Sequence, residues 1–438
     1  MKRKLLATVL SISLIASALV GCGSTASTDT ATTDTTATTT DTTTTDTTAT
    51  DTPAALENVS LVLWGAEEDQ TMLQGMVDSF KTVYADKAVF DIQLGVQSES
   101  TAKDTVLTDV EAAADVFAFA DDQLGELINA GALQPVSIDA DAIIEANGGA
   151  DAGSVKAATQ DGTLYAYPMT ADNGYFMFYD KSYFTADDVK SLDKMMEVAA
   201  AAGKKITVDF SSGWYLYSFF QGAGLTLGLN DDGVTNFCTW NATDGKYKGA
   251  DVAAAMLAIA NNPGFVSVQD AEFATGITDG TIIAGINGTW NAATAATAWG
   301  DNYAAVKLPT YTVAGDQVQM SSFAGYKLVG VNAYSANAGW AMLLAEWITN
   351  HDNQVIRFET RGLGPSNVEA AASAEVQASP AIAALLAQSA YATVQRVGGN
   401  FWDPTAAYGA IIAAGNSEGT DLQILVDNMV QGITAPVE

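Results

Sequence analysis

Short apolar runs alternate with amphipathic stretches over residues 59–130, and this alternation narrows the possible folds more than any other feature of the chain. Val59-Ser60-Leu61-Val62-Leu63-Trp64 has strand character. Residues 70–84 place Met72, Met76, Phe80 and Val83 on one helical face. Phe90, Ile92, Leu94 and Val96 alternate as a second strand, residues 101–114 read as helix, and Asp115-Val116-Phe117-Ala118-Phe119 reads as a third strand. A short helix over residues 122–130 stops at Gly131, a residue suited to a helix C-cap. This β-α-β-α-β order predicts a parallel α/β sheet with right-handed crossovers. Ligands of such sheets bind beyond the C-terminal ends of the strands. Here those ends are Trp64-Gly65-Ala66-Glu67-Glu68 and Phe119-Ala120-Asp121-Asp122, an aromatic side chain followed by carboxylates in both cases.

Ahead of this pattern stand two segments of other character. Lys2-Arg3-Lys4 followed by the apolar residues 5–20 has the form of a signal peptide and is short for a membrane span. Leu19-Val20-Gly21-Cys22 resembles the lipobox of bacterial lipoproteins, which implies cleavage before Cys22 and acylation of its thiol. Two or three acyl chains would anchor the protein stably, since each buried methylene contributes about 0.8 kcal/mol. Residues 23–55 are Thr, Asp, Ala and Ser with almost nothing apolar. Such a segment cannot bury enough surface to offset the entropy of ordering and is expected to be an extended tether. A protein working just outside a membrane would suit this layout.

The remaining chain is long enough for two ordinary domains, and 48% hydrophobic residues provide for a substantial core. The formal net charge of −32 disfavours nucleic acid, anionic membrane and polyanionic ligands. With Cys22 lipidated, Cys238 has no partner for an intrachain disulfide and reads as a small buried hydrophobe. "NYAAVKLPTY" and "YKLVGVNAY" read as strands around a turn, and residues 339–349, 381–390 and 406–414 as helices.

The sequence offers little for covalent catalysis or cofactors. Gly415-Asn416-Ser417-Glu418-Gly419 spells a nucleophile elbow but falls between two helices, not between a strand and a helix. The single histidine, His351, stands in a polar helix-end segment and reads as a solvated surface residue. "GAGLTLG" lacks dinucleotide-binding spacing, and no Walker A motif occurs. Histidine and cysteine are too few for a zinc site, and no EF-hand spacing appears. No cofactor or metal is therefore expected. Abundant Asp and Glu leave a glycosidase open, because a carboxylate pair flanking one bond suffices for that chemistry.

The aromatic positions carry more information. Trp64, Phe119, Trp214, Trp290 and Trp402 each stand beside turn or small polar residues and not inside a long apolar run. In "INGTWNA", residues 286–292, a strand-like run ends in Asn-Gly-Thr and an indole follows at once. A pyranose has an apolar C–H face that packs on an aromatic ring. Its hydroxyls need partners near the ring plane, and carboxylates are the strongest acceptors. Aromatic plates with Asp and Glu at strand ends read as an oligosaccharide site.

"LVLWGAEEDQ", "DVFAFADDQLGELINAGALQPV", "DGTLYAYPMTADNGYFMFYDKSYF", "GTIIAGINGTWNAAT", "NYAAVKLPTY" and "RGLGPSN", in this order over nearly all of residues 59–432, resemble the maltose/maltodextrin-binding proteins. These are extracellular solute-binding receptors of bacterial ABC sugar importers. The resemblance implies an α/β, two-lobe periplasmic-binding-protein-like fold with hinge crossovers and a ligand cleft between the lobes. It implies an N-lobe of residues 56–170 and 328–373 and a C-lobe of residues 171–327 and 374–438. It implies binding without catalysis, with a maltooligosaccharide or another neutral oligosaccharide (xylo- or mannooligosaccharide) as ligand, membrane permease subunits as partners and a monomeric state.

Carried over by position, the resemblance gives Glu68 and Asp122 as hydroxyl-bonding acids and Trp64 as the aromatic beside Glu68. Phe119 falls on an N-lobe stacking plate, and Trp214, Trp290 and Trp402 on C-lobe plates. Asp172 falls near a further acidic ligand, with Asn173 as the alternative. The enteric pattern has lysine, arginine and glutamate where this chain has Asp69, Gln123 and Ser212, so those polar ligands are absent here. "SSFAGYKLVG" is similar to the Gram-positive branch and implies Tyr326 and Lys327 near the cleft.

Overall fold

A computed structural model describes residues 56–436. The expected leader, lipidated Cys22 and Thr/Asp-rich tether lie outside the described residues. Two five-stranded sheets organise the rest. The first runs in the order Ala88–Val96, Glu57–Gly65, Val116–Ala120, Lys327–Val331 and Ala166–Thr170. The second runs Phe265–Val266, Lys205–Thr207, Ile282–Gly288, Tyr175–Asp180 and Tyr303–Val306.

The expected parallel sheet is mixed. Glu57–Gly65 pairs in parallel with both Ala88–Val96 and Val116–Ala120, but Lys327–Val331 runs antiparallel to its two neighbours. In the second sheet Tyr175–Asp180 runs antiparallel to Ile282–Gly288 and Tyr303–Val306. Both exceptions have one cause. The chain leaves the first sheet at Thr170 and enters the second at Tyr175, then leaves the short strand Ser322–Ala324 and re-enters the first sheet at Lys327. A strand arriving at the end where its parallel neighbours finish can only run back against them. The C-terminal ends of the parallel strands therefore lie on the side where the chain crosses between sheets.

Side-chain alternation builds the cores. Tyr175 and Met177 point into a large core with Ile206, Phe210 and Leu216, while Phe176 and Phe178 point into a smaller core with Phe273, Ile277 and Trp299. A strand covered on both faces reads as the unbroken apolar run YFMF. Around the first sheet, helix Gln70–Val83 contributes Leu73, Val77 and Phe80, and helix Ala338–Thr349 contributes Leu344 and Ile348.

The helix expected over residues 101–114 ends early, as Ala102–Thr108. Asp109 takes an extended conformation and its carboxylate accepts from the Ala112 amide at 3.2 Å, a local bond that competes with the helix. "NYAAVKLPTY" divides into Tyr303–Val306 in the second sheet and Thr310–Val313, which pairs with Asp316–Gln319. The helix expected over residues 381–390 runs Pro380–Gln388, with Ser379 as N-cap and proline in the first turn. Ser417 lies in the loop between helices Trp402–Ala413 and Leu422–Ile433. His351 opens helix His351–Arg361, is exposed, and pairs with Asp352 at 2.8 Å.

Candidate functional site

A cleft of about 760 Å³ opens at the C-terminal strand ends of both sheets, a size suited to a small ligand. From the first sheet it receives residues 66–69, 98–100, Ala120, Asp122 and Gln123. From the second it receives Asp209, Ser212, Trp214, residues 269–272 and Trp290. Asn173 and Lys327 enter from the crossovers, and Arg361, Leu363, Gln395 and Trp402 complete the wall.

The "INGTWNA" turn is built around its glycine. Strand Ile282–Gly288 is buried throughout, and Trp290 follows in a single 3-10 turn, Thr289–Asn291. The indole lies back over Gly288, where a Cβ would stand 2.0 Å from its Cζ3. Its N–H donates to Asp270 Oδ2 at 3.2 Å, and Asn287 donates to the other oxygen at 2.8 Å. The Lys327 ammonium is 5.8 Å from the ring centroid. Trp290 is half-buried and lines the cleft. One side of the indole is held by backbone and its edge by a carboxylate.

Trp214 lies in the first turn of helix Gly213–Gly222 and stacks on Phe323 with ring centroids 5.3 Å apart. Trp402 opens helix Trp402–Ala413 and is 36% exposed, with its ring edge-on to Phe401 at 4.9 Å. Glu68 is exposed at the first sheet's rim. Asp122 accepts from Gln395 Nε2 at 2.9 Å. Protein surrounds that carboxyl on most sides, and burial, reinforced by the neighbouring Asp121 charge, pushes it up to about 6. Glu68, Asp122, Trp214, Trp290 and Trp402 thus share one cleft.

Three expected site residues do not reach it. Phe119 is fully buried, with its ring 5.9 Å from Phe117, because its strand is covered on both faces; the next residue, Ala120, is the one at the cleft. Trp64 still belongs to its strand, so its side chain lies across the sheet over Gly95 and borders a separate hollow. Asp172 is buried beneath the cleft and accepts from the Gly364 amide at 2.5 Å. Burial pushes its carboxyl up, opposed by the hydroxyls of Thr289 and Thr170. Asn173 is the neighbour that lines the cleft.

Two of the chain's departures from the enteric pattern, Asp69 and Gln123, have structural answers. Asp69 is buried against Arg357 and Arg361, the latter at 2.9 Å. Burial alone would raise its carboxyl, and the two guanidiniums hold it below the usual range. Arg361 stands in the last turn of its helix, which Gly362 ends at φ 74°, and so reaches the cleft wall. Gln123 bonds to the carbonyls of Glu99 and Ser100 at 2.7 and 3.0 Å and fixes that rim loop. Lys327 lines the cleft as expected, 3.7 Å from the buried Glu99.

Sequence reasoning passed over Asp270. Burial raises its carboxyl, against the bonds from Asn287 and Trp290, and the Glu68 charge adds to the rise. Its only local signal is an aspartate opening a helix after a strand. Among the described residues no cluster of three or more His, Cys, Asp or Glu is placed to hold a metal ion.

Residues 75–384 match the family described as bacterial extracellular solute-binding protein. The chain is 27% identical over 356 residues to the galactooligosaccharide-binding protein of Bacillus subtilis (strain 168), a match covering 76% of this chain and 78% of that protein. A structure solved with acarbose is similar at 29% identity and TM-score 0.75, covering 86% of this chain and 99% of that one. A maltodextrin binding protein from L. casei BL23, solved without ligand, is similar at 27% identity and TM-score 0.70, covering 86% and 100%. The fold is therefore the two-lobe α/β fold that the sequence resemblance implied. With more than half of its length matched to that family, the chain belongs to the bacterial extracellular solute-binding proteins.

Proposed function

We propose that this protein captures neutral oligosaccharides, maltooligosaccharides foremost, and delivers them to an ABC importer. One observation carries the reading: the tryptophans Trp214, Trp290 and Trp402 share a cleft with Glu68 and Asp122 from the opposite sheet. Aromatic faces supply stacking for sugar C–H faces, and the acids accept from hydroxyls. The similarity to a maltodextrin binding protein and to a structure with acarbose supports a glucose-based ligand. The lobes would be residues 56–170 with 328–373 and residues 171–327 with 374–438. Closure around sugar, through contacts made only when both lobes meet it, would shift the population toward the form a permease recognises.

The Leu-Val-Gly-Cys motif ending at Cys22 supports a lipid anchor on the outer face of the cytoplasmic membrane. Membrane fractionation of cells expressing a Cys22→Ala variant tests this: release from the membrane is expected, and unchanged retention would overturn it.

The galactooligosaccharide-binding relative favours a second reading, in which the chain is built from galactose. Calorimetry with maltotriose, a galactotriose and xylotriose separates these. Maltotriose is expected to bind most tightly; silence there with a signal from the galactotriose would replace the first reading by the second. Stoichiometric incubation with the bound sugar should leave its length unchanged, and shortening over hours would mean a glycosidase.

A further inference from the structure

Trp64 stands outside the cleft, yet the hollow it borders adjoins it. This hollow, of about 480 Å³, lies between the Trp64 indole and residues 101–113. Ser100 lines the cleft and Thr101 the hollow; Ala66 lines the cleft and Trp64, two positions earlier, the hollow. Two chain segments thus run directly from one to the other.

The indole is held in place from beneath. Gly95 is its register partner on the edge strand Ala88–Val96, and a Cβ there would stand 2.5 Å from Trp64 Cδ1. A glycine inside a strand weakens it and often marks a close approach; here the approaching group is the indole. Trp64 stays half-buried, with its free surface on the hollow. On the opposite wall the Thr105 and Thr108 hydroxyls donate to the carbonyls of Thr101 and Asp104, at 3.4 and 2.9 Å, and keep oxygen lone pairs for other donors. Asp104 and Asp109 add carboxylates at the rim. An aromatic plate on a mostly apolar floor, with hydroxyl and carboxylate oxygens at its edge, thus stands beside the cleft.

We infer that the hollow is an outlying subsite that receives a sugar ring of an oligosaccharide whose inner units occupy the cleft. Trp64 stacks on the ring, and the threonine and aspartate oxygens accept from its hydroxyls. This rests on the oligosaccharide reading of the cleft and extends it to longer chains.

Calorimetry on the full-length protein with a trisaccharide and a heptasaccharide of the neutral series it binds tests the subsite. Trp64→Ala should weaken the heptasaccharide about tenfold and leave the trisaccharide unchanged. Ala112→Gln, which puts a longer side chain into the hollow from an exposed position on its rim without touching the core, should give the same length-selective loss. Unchanged heptasaccharide affinity in Ala112→Gln, or equal losses for both lengths in both variants, would overturn the inference. Wild-type protein that binds the two lengths equally would overturn it as well. Wild-type protein that binds neither would instead remove the oligosaccharide reading, and the subsite with it.

Discussion

Trp290 donates its indole N–H to Asp270 across 3.2 Å, joining a turn after one strand to the start of the helix that precedes that strand. The same carboxylate accepts from Asn287, whose own carbonyl oxygen accepts from Asn291 at 2.9 Å. The polar residues of the turn therefore bind one another and the edge of the indole. This is how a turn keeps a large apolar ring at a fixed angle without burying it.

Trp290→Ala should accordingly lower sugar affinity by about 100-fold, close to 3 kcal/mol, the range of an aromatic anchor in a binding site. Thermal unfolding without sugar should change little, because the ring is only half-buried. Calorimetry and a melting curve on the same preparation check both halves. A large stability loss with affinity intact would make Trp290 a core residue.

Gly288→Ala probes the same plate from below. Gly288 has φ −105° and ψ 178°, a conformation open to any residue, so alanine adds no backbone strain. Its methyl would take the space of the indole and push it off its seat. The expected outcome is a loss of affinity of about tenfold or more. Because the neighbouring strand is tightly packed, circular dichroism should be recorded alongside to verify that the fold is kept.

Asp69→Ala should destabilise the protein by about 3–5 kcal/mol at neutral pH, since it leaves Arg357, 2% exposed, as an unpaired buried charge. Urea unfolding measures this. The Asp69 carboxyl is held below its ordinary value, so its contribution is present above the unfolded value of 3.8 and is lost as pH falls through the folded one. The gap between wild type and variant should therefore narrow in strong acid.

Asp122 behaves in the opposite sense. Its folded value near 6 lies above the ordinary 3.8, so the folded protein holds this proton more tightly and the group's contribution to stability falls as pH rises from 3.8 to 6. Asp122→Asn keeps an oxygen for Gln395 and should stabilise the sugar-free protein by on the order of 1 kcal/mol at pH 7.5, with no gain below about pH 4. Sugar affinity of the wild type should decline as pH drops through about 6, where the carboxylate is neutralised. Melting curves and calorimetry across this range test the two signs together.

Local sequence pattern specifies the order of strands and helices, the positions of strand ends and the presence of aromatic and acidic residues at several of them. These are local properties: apolar periodicity fixes which residues share a face, and turn residues fix where a strand stops. The cleft positions of Glu68, Asp122, Trp214, Trp290 and Trp402 are legible because each follows a strand end or stands at the start of a helix. Contacts between elements far apart in the chain set the rest. Phe119 looks like a strand-end plate, but its strand is covered on both faces and its ring belongs to the core. Asp172 and Asn173 differ by one position, and the crossover's path points the first into the protein and the second into the cleft. Asp69 and Asp270 draw their meaning from Arg357 and Trp290, partners on other elements. The parallel sheet became mixed for the same reason. Direction within a sheet depends on where the chain re-enters it, and that is set by contacts between residues far apart along the chain.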